Sequence, residues 1–77
     1  MIDTPHTFGG RLRQIREQQG LTQEGLAHRA QITQSSLARI ERGHVVPRVR
    51  TVQQLATALG VSSWSLLLGS DDRDESA

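Results

Sequence analysis

The stretch Gln23–Arg42, QEGLAHRAQITQSSLARIER, decides the fold. Leu26, Ala27 and Ala30 recur at helical spacing in its first half, and Leu37 and Ile40 do so in its second. Ala30-Gln31-Ile32-Thr33 lies between them. The Thr33 hydroxyl can accept an unpaired backbone N–H from the first turn of a helix that follows it. The spacing therefore predicts two short helices joined by a tight turn. The second of them presents a polar face bearing arginines.

Upstream, Phe8, Leu12 and Ile15 fall on one stripe at i, i+4 and i+7. They predict a first helix from Phe8 to about Gln19, capped by Thr7 and stopped by Gly20. Gly9 and Gly10 should weaken its first turn by about 1 kcal/mol each relative to alanine. Leu21 turns inward, and Thr22 caps the second helix, about Gln23 to Arg29. Gly25 stands where a glutamate would complete a capping box, so this start should be weak. The third helix runs from about Gln34 to Arg42 and stops at Gly43, and His44 to Pro47 form a loop. Val52, Leu55, Ala56 and Leu59 mark a fourth helix, about Val49 to Leu59, closed by Gly60. Ser62 caps a short fifth helix, about Ser63 to Leu68. No strand-like alternation and no internal repeat is visible. The expected architecture is all-α, a compact five-helix bundle over residues 8–69. A loose N-terminus (1–7) precedes it and a disordered acidic tail (70–77) follows.

Composition narrows the function. Seventy-seven residues make one small domain with a modest core. There is no cysteine, hence no disulfide and no thiolate metal site. His6, His28 and His44 are far apart and lack metal-ligand spacing. One Trp, one Phe and no Tyr argue against a base-stacking RNA platform. No signal-peptide pattern opens the chain, and no apolar run approaches the ~20 residues that cross a bilayer. A soluble, cytoplasmic protein without membrane association is expected. There is also no nucleophile–base constellation, no glycine-rich phosphate loop and no facing pair of carboxylates. No enzyme activity and no cofactor or metal are expected.

The net charge of +1 hides an asymmetry. The tail carries Asp71, Asp72, Asp74 and Glu75 against Arg73, a net of −3, so the remainder is +4. All nine basic residues are arginine. Arginine suits bidentate recognition of guanine and phosphate, although codon bias in a GC-rich genome explains missing lysine equally well. A basic surface on a small domain favours a polyanionic partner either way.

With Leu37 and Ile40 pointing inward, a turn of 100° per residue puts Ser35, Ala38, Arg39 and Arg42 on the opposite side of the third helix, with Gln34 at its N-terminal edge. Most polar helix faces are merely solvated. The tight turn and the basic balance favour the other reading, a helix-turn-helix that enters the major groove of double-stranded DNA. Arg39 can then pair with guanine O6 and N7, and Gln34 with adenine N6 and N7. Ser35 can serve base or phosphate, and Ala38 can touch a thymine methyl. Gln23, at the N-terminus of the second helix, is placed to meet a phosphate. Arg42 and Arg48 should reach phosphates from the other side. Arg16 and Glu41 lie at the borders of their apolar stripes and suit an ion pair between the first and third helices.

These residues resemble the phage repressor/Cro-type, or Xre-like, helix-turn-helix family. The matching run is RLRQIREQQGLTQEGLAHRAQITQSSLARIERG followed by P-x-x-x-T-V-x-x-L-A-x-A-L-G-V-S, from Arg11 to about Leu68. The resemblance implies a lambda-repressor-like five-helix domain that binds operator DNA, usually as a dimer on a palindrome. It implies phosphate contact by Gln23, base reading by Gln34, Ser35 and Arg39, and an Arg16–Glu41 pair. Three positions depart from the pattern. Gln31 replaces the usual turn glycine, Gly25 the usual glutamate, and Arg48-Val49-Arg50 a serine-led start of the fourth helix.

Trp64, Leu66, Leu67 and Leu68 are too many large apolar side chains for one short stripe. If Leu66 faces the core, some of the others stay near the surface. The expected use is a homodimer centred on Trp64 and Leu68, against the alternative that Trp64 folds over its own core. The resulting expectation is a sequence-specific transcriptional regulator, a repressor that occludes a palindromic operator. The alternatives are an antitoxin, with a toxin or other protein as partner, and the DNA-binding domain of a longer regulator.

Overall fold

A computed structural model describes residues 7–68. Five helices follow in order: α1 (Phe8–Gln18), α2 (Gln23–Ala30), α3 (Gln34–Glu41), α4 (Val49–Leu59) and α5 (Ser63–Leu68). The expected loose N-terminus and acidic tail fall largely on residues 1–6 and 69–77, which lie outside the described residues.

Each helix begins where a side chain or a turn allows it. Thr7, Thr22 and Thr33 accept the backbone N–H groups of Gly10, Gly25 and Ser36. Such caps are each worth about 1 kcal/mol. The Thr22 cap forms even though Gly25 removes the reciprocal half of the capping box. Arg48 makes no side-chain cap, so α4 begins without one. Gly20, Gly43 and Gly60 take the positive φ that turns the chain off α1, α3 and α4.

The apolar stripes converge on one core. Leu12, Leu26, Leu37, Leu55 and Leu66 are its largest fully buried side chains, one from each helix. Each contributes about 1.5–3 kcal/mol of transfer free energy. Within it α2 packs on α3 and α4, α1 on α3, and α5 on α4 and α1. The α5 end is held by charge: Arg11 donates from Nε to the Leu66 carbonyl at 3.2 Å and from its other nitrogen to the Leu67 carbonyl. Leu67 itself is 48% exposed.

Two local readings need comment. Gln31 does adopt the left-handed conformation, φ 62° and ψ 40°, with the Ile32 N–H bonded to the Ala27 carbonyl at 3.0 Å. A non-glycine residue there costs roughly 1–2 kcal/mol. Gly9, in contrast, is not only a weak helix former. It is buried where α1 crosses the end of α3, and a Cβ would collide with the Ile40 carbonyl oxygen and come within 2.8 Å of that of Glu41. The glycine is what lets the two backbones meet.

Candidate nucleic-acid interface

The α2–turn–α3 unit is fixed from behind. Arg16 is 8% exposed and donates from Nε to Glu41 Oε2 at 2.7 Å and from its terminal nitrogen to Oε1 at 3.0 Å. Its remaining terminal nitrogen donates to the Leu21 carbonyl at 2.9 Å, in the α1–α2 connection. One guanidinium thus ties α1, the entry to α2 and the end of α3. Its hydrogen bonds to Glu41 outweigh its burial and raise its pKa, so it stays charged.

With α3 held this way, Gln34, Ser35, Arg39 and Arg42 are exposed, as the helical wheel requires. Ala38 is half-buried and sits at the edge of that face, less forward than its angle suggests. Arg39 shares a groove of about 250 Å³ with Arg48, between α3 and the loop that leaves it. Gln23 and Arg42 line a second hollow, of about 280 Å³, with Arg13 and the Arg16–Glu41 pair. Arg42 and Arg48, both expected to reach phosphates from the side away from Gln23, line different hollows. Arg42 is the C-cap of α3 and turns toward the α2 N-terminus, whereas Arg48 lies beyond the loop on the Arg39 side. The Gln23 amide is also not idle, since it donates to Glu41 Oε1 at 3.0 Å. That bond uses one of its two N–H groups.

Sequence reasoning misses three exposed residues beside this face. Ser36 is exposed, lines the Arg39 groove and accepts the Thr33 hydroxyl at 2.9 Å. Val46 and Val49 flank Pro47 and Arg48 with 94% and 72% of their surface exposed. No periodic signal marks Val46 in the loop or Val49 at the first position of α4, so only the path of the chain shows them. The side chains of Trp64 and Leu68, the expected dimer centre, lie outside those the structure describes. Among the described residues no group of three or more His, Asp or Glu could hold a metal ion, and no helix is long and apolar enough to cross a membrane.

An exposed, arginine-bearing helix set behind a tight turn and braced by a buried ion pair defines a helix-turn-helix domain. The helix-turn-helix family model matches residues 12–63, and the chain belongs to that family. It is 37% identical over 71 residues to an uncharacterized HTH-type transcriptional regulator, y4dJ, of Sinorhizobium fredii, covering 92% of each chain. It is 42% identical over 55 residues to the immunity repressor protein of Bacillus phage phi105, covering 71% of this chain and 38% of that one. Among solved structures it is similar to the restriction-modification controller protein C.AhdI of Aeromonas hydrophila, with a TM-score of 0.78, 35% identity, and coverage of 80% of this chain and 94% of the other. By family the chain is an HTH-type transcriptional regulator.

Proposed function

We propose that the protein is a sequence-specific repressor that binds a palindromic operator as a homodimer, with α3 in the major groove. One observation carries this reading: Gln34, Ser35 and Arg39 are exposed together on α3 while the opposite side of that helix is buried. Arg39 and Gln34 are the side chains for guanine and adenine edges, with Ser35 and Ala38 beside them. Gln23 with Arg42 on one flank, and Arg48 on the other, are the phosphate contacts that fix the register. Repression needs no catalytic group, because a bound dimer excludes other proteins from its site. The dimer would meet across α5, around Trp64 and Leu68, and set two copies of α3 about 34 Å apart.

Selection of bound duplexes from a random pool tests this reading. A two-fold symmetric consensus with half-sites one helical turn apart is expected. A pool that shows no enrichment at low salt would overturn it. The likeness to C.AhdI favours a second reading, control of a restriction–modification operon through the same interface. The genes beside the selected site distinguish the two.

A further inference from the structure

A third cleft, of about 450 Å³, lies between the C-terminal end of α2 and one face of α4. Arg29 and Gln31 form one wall, and Arg50, Gln53, Gln54 and Thr57 form the other at i, i+3, i+4 and i+7. No residue of α3 lines it, so it stands apart from both flanks of the base-reading face. Among the described residues no carboxylate lines it either. The described body holds three carboxylates, Glu17, Glu24 and Glu41, and two of these are taken by Arg13 and Arg16. Arg29 and Arg50 make no ion pair or hydrogen bond among the described residues. The cleft therefore offers two cations, three side-chain amides and a hydroxyl, with no carboxylate among the described residues to balance the charge. This is the chemistry that receives a short run of carboxylates.

The chain contains one such run, Asp71-Asp72-Arg73-Asp74-Glu75, which lies outside the described residues. We infer that this acidic segment docks in the Arg29–Arg50 cleft of its own molecule. The tether makes this feasible. Glu75 stands seven positions beyond Leu68, a tether that can span about 23 Å, close to the 24 Å shortest dimension of the molecule. They leave from α5, which packs on the same α4 that walls the cleft. An exposed arginine–carboxylate contact is individually weak. Attachment to the same chain supplies a millimolar effective concentration, at which two or three weak contacts suffice. Duplex DNA is the competing occupant. It is disfavoured because none of Gln23, Arg39, Arg42 and Arg48, the proposed DNA contacts on either flank, lines the cleft.

Two full-length variants and the parent, compared by amide NMR without DNA, decide the matter. Neutralising the segment (Asp71→Asn, Asp72→Asn, Asp74→Asn, Glu75→Gln) should shift the Gln53, Gln54 and Thr57 amides. The reciprocal variant Arg29→Ala with Arg50→Ala should shift the amides of residues 71–75. Both differences should vanish in 1 M salt, where screening acts over about 3 Å, and should not depend on protein concentration. Cleft amides that ignore the segment's charge overturn the inference. So do shifts that grow with concentration, which assign the contact to a neighbouring copy. Unmoved tail amides together with weaker binding of the arginine variant to every duplex would make the cleft a phosphate site instead. Because the NMR comparison contains no DNA, its failure leaves the repressor reading untouched.

Discussion

Glu41 accepts the Arg16 Nε at 2.7 Å with one carboxylate oxygen, and with the other it accepts both Arg16 and the Gln23 amide. The residue that braces the bundle thus also orients a phosphate-contact candidate. Glu41→Ala should strand a buried guanidinium and destabilise the fold by about 3–5 kcal/mol. Urea unfolding measures the loss. Glu41→Gln retains the shape and some of the hydrogen bonding, so it should cost less and permit a binding measurement.

Gly9→Ala separates local propensity from packing. Propensity alone forecasts a gain of about 1 kcal/mol from removing a helical glycine. The close approach of the Ile40 and Glu41 carbonyls forecasts the reverse, a loss of about 1–3 kcal/mol from overpacking. Thermal unfolding reads the sign directly, and a more stable variant would mean that α1 and α3 part without cost.

Gln31→Gly should act in the opposite direction. It relieves the left-handed strain at φ 62° but adds freedom to the unfolded chain. The net should be a stabilisation of about 0.5–1 kcal/mol, visible as a higher Tm, with DNA affinity unchanged.

Arg39 and Arg48 share a groove but should behave differently on DNA. Arg39→Ala should cost about 1–3 kcal/mol on the selected operator and relax preference at one base pair. Arg48→Ala should weaken specific and random duplexes alike and reduce the salt slope by about one. Titrations of both variants against operator and scrambled duplex check this. An equal loss on every duplex for Arg39→Ala would remove its base-reading role.

Ser36→Ala tests a residue that the helical wheel left off the face. It lies beside Arg39 and pairs with the Thr33 hydroxyl. Loss of that exposed bond should cost stability about 1 kcal/mol or less. A change in base preference larger than that loss would place Ser36 among the operator contacts.

The sequence by itself determined the five helices, their threonine caps and their glycine stops. These depend on contacts within one turn of backbone, and residue spacing records them. It also determined the inward faces of α3 and α4 and the place of Arg16 and Glu41 at the borders of their stripes, because a helical wheel fixes which side chains share a side. The tertiary structure alone decided what happens where two segments meet. Whether Gly9 is a flaw or a requirement depends on the distance to α3. Whether Arg42 stands with Gln23 or with Arg48 depends on the direction in which the chain leaves α3. Whether Arg29 and Arg50, 21 positions apart, face one cleft depends on how α2 crosses α4. Each of these is set by the angle between packed helices, and that angle comes from side-chain interdigitation across the whole core, which no local pattern encodes.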